Sequence, residues 1–103
     1  MNTTKFLSML GLSRRARRVI IGTPLVTKAL PCGKVQVVFY TLDASDNTKK
    51  RITDKCRFYG VDARMIDIPS HQIGKMLGVQ STVCVFGIED GNFSRQLITL
   101  SEE

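Results

Sequence analysis

Val35-Gln36-Val37-Val38-Phe39-Tyr40-Thr41-Leu42-Asp43-Ala44-Ser45 decides the fold of this chain. Residues 35–42 form a nearly continuous apolar stretch between Pro31-Cys32-Gly33 and Asp43-Ala44-Ser45. A run of that kind, shorter than about ten residues and bounded by turn signals, reads as a strand covered on both faces, because a half-solvated strand would alternate. Ser45 can cap a following helix, and Asp46 places an anion in its first turn, where the macrodipole favours one. Ile52, Cys56 and Tyr59 then supply an i, i+4, i+7 stripe, and Gly60 ends the helix. A doubly covered central strand feeding an amphipathic helix is the working unit of an α/β protein.

The same pattern extends in both directions. Upstream, Phe6, Met9 and Leu10 fall at helical spacing after Thr3 or Thr4 as a cap, with Gly11 as a stop, so a short first helix is expected. Residues 14–18 read as a basic turn, and Val19-Ile20-Ile21 as a short β-branched strand ending at Gly22. Thr23-Pro24 reads as a cap followed by proline at the first helical position, opening a helix that runs to about Leu30. Downstream, residues 63–68 read as a strand, and Pro69-Ser70 opens a short helix carrying Ile73, Met76 and Leu77 up to Gly78. Residues 82–88 read as a last strand, and Gly91-Asn92 introduces a helix with Phe93, Leu97 and Leu100 on one face. Strict alternation of helix and strand predicts an α/β fold, a three-layer α-β-α sandwich around a small four-stranded sheet, mixed or parallel and mostly the latter. One domain covering residues 1–103 is expected, since ~100 to 150 residues is the commonest domain size.

Composition narrows the function. Apolar residues make up 43% of the chain, which separates it from the disordered class. No apolar run approaches the ~18 to 20 residues of a bilayer span, and the order of the N-terminus, amphipathic and then arginine-rich, is the reverse of a secretion signal. A soluble cytoplasmic protein with no membrane partner is expected. Cys32, Cys56 and Cys84 are odd in number and widely spaced, with only His71 to help, which argues against a disulfide framework and a zinc site.

The net charge of +6 is unevenly distributed. Residues 1–34 hold Lys5, Arg14, Arg15, Arg17, Arg18, Lys28 and Lys34 without one acid, while the rest of the chain is close to neutral. Guanidinium groups fork onto phosphate oxygens, and Gly22-Thr23 at a helix start offers further N–H donors to an anion. A polyanion, nucleic acid above all, is the expected partner. Lys49, Lys50, Arg51, Lys55 and Arg57 are interleaved with Asp46 and Asp54 and read as an ordinary exposed helix face with an Asp46–Lys50 pair, Lys49 being the exception nearest the helix start. Catalysis has little support. His71 is the sole histidine, no nucleophile motif is present, and Asp43 at the end of the central strand stands without a second carboxylate. The chain is expected not to be an enzyme and to need no cofactor.

Leu10-Gly11-Leu12, Arg15-Ala16, Gly22, Val26, Lys28-Ala29, Gly33-Lys34, Asp43-Ala44-Ser45, Asn47-Thr48-Lys49-Lys50 and Cys56 come in an order and spacing that resemble the small bacterial (YlxQ-type) branch of the ribosomal protein L-seven-Ae family. The segment 85–93 resembles the family's final strand, loop and helix start, so the likeness covers nearly the whole chain. The resemblance implies a three-layer α-β-α fold that recognises kink-turn RNA through two loops at one end of the sheet. The first would be Gly22-Thr23-Pro24-Leu25 with Lys28, and the second Gly87-Ile88-Glu89-Asp90, with Ile88 lying against a base pushed out of its stack. Where strong kink-turn readers of the family carry Asn-Glu after Gly-Thr, this chain has Pro24-Leu25, which implies phosphate contact with reduced base readout.

The expected function is therefore that of a monomeric RNA-binding protein, ribosome-associated or acting on another structured RNA in the cytoplasm. Its expected contacts are Arg14, Arg15, Arg17, Arg18, Gly22, Thr23, Lys28, Lys34, Ile88 and Glu89. The alternative is a protein-interaction adaptor using the same face.

Overall fold

The computed structural model describes residues 1–103. Helix α1 (Thr3–Arg15) leads to strand β1 (Val19–Ile21), then α2 (Thr23–Ala29) with a 3-10 turn (Leu30–Cys32), β2 (Val37–Thr41), α3 (Asp46–Tyr59), β3 (Asp62–Ile66), α4 (Ser70–Met76), β4 (Val85–Ile88) and α5 (Gly91–Glu102). The expected alternation is thus observed. The sheet order is β1-β4-β2-β3.

Only β2 and β3 run parallel; β4 is antiparallel to both of its neighbours, β1 and β2, so the sheet is mixed and not mostly parallel. The reason lies in α4. At ~1.5 Å per residue its seven residues rise only about 10 Å, too little for a crossover. The chain reverses at Gly78 (φ 76°), and the Val83 N–H returns to the Ser70 carbonyl at 3.1 Å. Residues 67–84 therefore leave and re-enter the sheet at the same end, which makes β4 antiparallel to β3's direction.

Side chains on the strands alternate between two cores, as the period of two requires. Val37 and Phe39 of β2, with Val19, Phe86 and Ile88, face α1, α4 and α5. Val38 of β2 and Val85 of β4 face α2 and α3, where Val26, Leu30, Ile52 and Cys56 close over them. Phe39 is the pivot of the first core: it meets Phe6 edge-on at 5.2 Å between ring centres and stacks on Phe86 at 5.5 Å. Gly87 leaves room for Val35 on the second face, because a Cβ there would lie 3.2 Å from Val35 Cγ1.

Several local expectations are corrected. Helix α1 does not stop at Gly11 but continues to Arg15, and its cap is Asn2, whose side chain accepts from the Lys5 N–H at 3.2 Å. Gly11 serves instead as a contact point, since a Cβ there would stand 3.2 Å from Met76 Sδ of α4. Arg14 and Arg15 consequently occupy the last helical turn, where cations suit the macrodipole, and only the segment beyond them is a turn. Gly22 (φ 94°), not Thr23, caps α2. Tyr59 and Met76, read as core, are 37% and 38% exposed. The Asp46–Lys50 ion pair is not formed; both ion pairs of the protein belong to Arg64, with Asp62 and Glu102, each at 2.8 Å.

Candidate nucleic-acid interface

Strand β1 lies at the sheet edge, so one side of its backbone has no neighbouring strand. Along that edge runs a groove of about 500 Å³. Val19, Ile20 and Ile21 form its floor, Arg14 one wall, and Leu25 and Lys28 from α2 the other. The groove thus has an apolar base, two cationic sides and no acid. Arg14 is held in place by its own Nε, which donates to the Leu77 carbonyl at 3.2 Å, at the C-terminal end of α4. Leu25 is 58% exposed, more than a side chain in a finished core would be.

The approach to β1 is shaped by Arg17, which holds φ 61°, a left-handed conformation unusual for a residue with a side chain. That bend follows the Arg17 N–H bond to the Arg14 carbonyl at 3.0 Å and turns the chain from α1 into the sheet. Arg15, Arg17 and Arg18 are all exposed. None of Arg14, Arg15, Arg17, Arg18, Lys28 and Lys34 has a carboxylate within 4.0 Å. Cations without a counter-charge along one edge, Arg14 and Lys28 lining the same groove, form an arrangement that an anionic ligand would relieve.

The expected residues divide between the two ends of β1. The Gly22 N–H donates to the Val85 carbonyl at 2.9 Å, which puts Gly22 and Thr23 beside the start of β4. The Glu89 N–H donates to the Arg18 carbonyl at 2.9 Å, and the Gln36 N–H to the Ile88 carbonyl at 2.8 Å, which puts Arg17, Arg18, Lys34 and Glu89 at the opposite end. Because β1 and β4 are antiparallel, the segment after β4 cannot share an end with the segment after β1. The expected pairing of the two loops is therefore wrong: residues 78–84, which precede β4, accompany Gly22-Thr23, and residues 89–90 do not. Ile88 is also corrected. It is fully buried between β1 and β2 in the first core and cannot lie against a base.

The anion cradle expected at Gly22-Thr23 is poor, since Pro24 has no N–H to give and α2 spans only seven residues. Sequence reasoning missed Leu25 as a groove wall and the β1 edge itself. A signal for the edge was present: strands of three residues are typical of edges.

Asp43, the one carboxylate placed at a strand end, is engaged in structure. It accepts from the Ser70 N–H at 3.1 Å and from Ser70 Oγ at 3.0 Å, and so caps α4. The neighbouring Thr41 hydroxyl and the Ser70 donors hold its carboxyl below the usual carboxylate value; the Thr41 hydroxyl has no partner in full hydrogen-bond geometry, so the Ser70 bonds are the firmer cause. Cys56 is buried, and burial together with the nearby Asp62 charge pushes its thiol up to about 11. No cluster of three or more His, Cys, Asp or Glu is poised for a metal, and no helix is long and apolar enough to cross a membrane.

A mixed four-stranded sheet between two helical layers is the frame into which this groove is set. Residues 4–98 match the ribosomal protein L7Ae/L30e/S12e/Gadd45 family, and the chain belongs to it. It is 35% identical over 100 residues to the RNA-binding protein YlxQ of Bacillus subtilis (strain 168), covering 97% of this chain and 98% of that one. It is 34% identical over 101 residues to the RNA-binding protein YlxQ of Enterococcus faecium, covering 98% and 95%. Among solved structures, a protein described as of unknown function from Bacillus halodurans C superposes with a TM-score of 0.88 at 36% identity over 96% of this chain and 98% of that one. The Giardia lamblia 15.5kD RNA binding protein shares the fold, with a TM-score of 0.79 at 19% identity over 97% and 87%. The two YlxQ relatives are named as RNA-binding proteins and not as enzymes, in agreement with the expectation of a non-catalytic chain.

Proposed function

We propose that this chain is a non-catalytic RNA-binding protein, acting as a single domain of residues 1–103, that holds a structured RNA along the open edge of β1. The observation that carries the reading is the convergence of unpaired cations there: Arg14 and Lys28 wall the groove, and Arg15, Arg17 and Arg18 lead into it. Gly22 and Thr23 mark one end of the RNA track, Lys34 and Glu89 the other. Glu89 would accept from a base amino group, and the cations would contact phosphates. The names of the full-length relatives support an RNA partner.

Within that reading the RNA is kink-turn-like, the setting is the ribosome or another ribonucleoprotein of the translation machinery in the cytoplasm, and the protein acts as a monomer. Pro24 and Leu25 shift recognition from base edges towards shape and backbone charge. The test is binding of the purified protein to a kink-turn RNA and to the same RNA with its G·A pairs replaced, at ~50 and ~200 mM salt. A preference above tenfold, worth about 1.4 kcal/mol, establishes kink-turn reading; equal binding with a steep salt slope establishes a reader of shape and charge. No binding at low salt removes the RNA reading. The exposed Leu25 beside an open strand edge would then favour a protein adaptor that adds a strand to β1.

A further inference from the structure

Helix α3 buries Ile52 and Cys56 against the sheet and leaves its outer face to solvent. On that face Arg51, Asp54, Lys55, Phe58 and Tyr59 follow one another at helical spacing and line a recess of about 520 Å³. Phe58 is 80% exposed, the most exposed of the protein's large apolar side chains. It meets Tyr59 edge-on at 4.9 Å with the planes at 85°, so one aromatic ring braces the other while Phe58 keeps its surface open. Nothing in the fold requires an aromatic residue there, because the α3 stripe that packs on the sheet is complete without it.

Arg51, Lys55 and the adjoining Arg57 have no carboxylate within 4.0 Å, although Asp54 is one residue from Lys55. An open π-face flanked by free cations is the arrangement that holds single-stranded nucleic acid, with a base on the ring and phosphates on the charges. Asp54, four residues before Phe58 and hence one turn away, adds an acceptor for a base amino group. Since α3 packs beside α2 in the same helical layer, a strand leaving the β1 groove across α2 reaches it without crossing the sheet.

We infer that the α3 face formed by Arg51, Asp54, Lys55, Phe58 and Tyr59 is a second RNA contact, which stacks an unpaired, amino-bearing base of a single-stranded flank on Phe58. This rests on the proposed function and extends it: the β1 groove takes the structured part of the RNA and α3 takes the flank. A protein partner would use Phe58 for its apolar area, whereas a base uses its ring face, and the two uses separate experimentally.

The probe is a labelled stem-loop RNA with and without an adenine tail of about eight nucleotides, within the ~4 to 16 that single-strand sites span. In the unaltered protein the tail strengthens binding roughly fivefold or more, the lower bound for one stacked base. Phe58→Ala and Phe58→Leu both lose that increment and keep the affinity for the tailless stem-loop; Phe58→Tyr retains it. Circular dichroism of each variant matches the parent, as an 80% exposed position allows. A tail that adds nothing while the stem-loop binds overturns the inference, as does an increment that survives Phe58→Ala or Phe58→Leu. If neither RNA binds, the proposed function itself falls.

Discussion

Exchange of Arg17 and Arg18 together for glutamine removes two charges from the approach to β1 and nothing else that the fold uses, since neither side chain makes a hydrogen bond or ion pair within the protein. If each of Arg14, Arg15, Arg17, Arg18, Lys28 and Lys34 neutralises one phosphate, log K against log salt has a slope of about −5.4, taking roughly 0.9 per contact. Binding to a structured RNA then weakens by about 1,800-fold between roughly 50 and 200 mM salt. The double variant keeps four contacts, so its slope falls to about −3.6 and its loss over the same range to about 150-fold. Fluorescence anisotropy of a labelled RNA hairpin, titrated at four or more salt concentrations, reads the two slopes directly. The thermal midpoint should be the same for both proteins, because exposed substitutions of this kind change stability by at most about 0.5 kcal/mol. A double variant with the parent's slope and an unchanged midpoint would refute the placement of RNA along this edge.

Ile88→Ala should destabilise the fold by about 2 to 5 kcal/mol in urea titration, as a fully buried side chain does, while the folded fraction binds RNA as before; a selective loss of binding at full stability would restore Ile88 to the interface. Gly74→Ala places a Cβ at 2.1 Å from the Ser81 carbonyl oxygen, a backbone atom that cannot swing aside, and should lower stability by about 1 to 3 kcal/mol despite the better helix former. At pH 8 iodoacetamide should modify the exposed Cys32 and spare Cys56, whose thiol stays protonated up to about 11; intact mass and peptide mapping decide it. The folded state lowers the Asp43 pKa, so the stabilisation is present above the ordinary value of 3.8 and fades as pH falls through it and below. Asp43→Asn should thus be less stable than the parent at pH 7, with the gap narrowing as pH falls below 3.8, and a difference independent of pH would show that the carboxylate's charge plays no part.

Element order was legible in the residues because punctuation was local. Gly22, Gly60 and Gly78 sit where the chain adopts positive φ, and Ser45 caps α3 through the Thr48 N–H at 3.1 Å. Strand direction was not, because it depends on whether residues 67–84 cross the sheet or return to the end they left, a matter of tertiary contacts such as that between Val83 and Ser70. Gly11 shows the same limit from the other side. Judged by its neighbours it ends a helix, but the close approach of Met76 makes glycine useful inside one. The cations of the site could be named in advance, and the three-residue length of β1 hinted at an edge, but which strand lies beside β1 could not be read, since that follows from the insertion of β4. Ile88 could have been placed correctly: it lies two residues after Phe86, and the period of a strand points both into one core.

The insertion of β4 between β1 and β2 also sets the order of events during synthesis. Ile21 has no strand partner until Phe86 arrives, 65 residues later by their numbers, and β1 touches no other strand. At ~5 to 20 residues per second that interval lasts about 3 to 13 s, during which the arginine-rich N-terminus is already made but the groove it flanks does not exist. The charges are the first part of the binding surface to be born and the edge that organises them is the last.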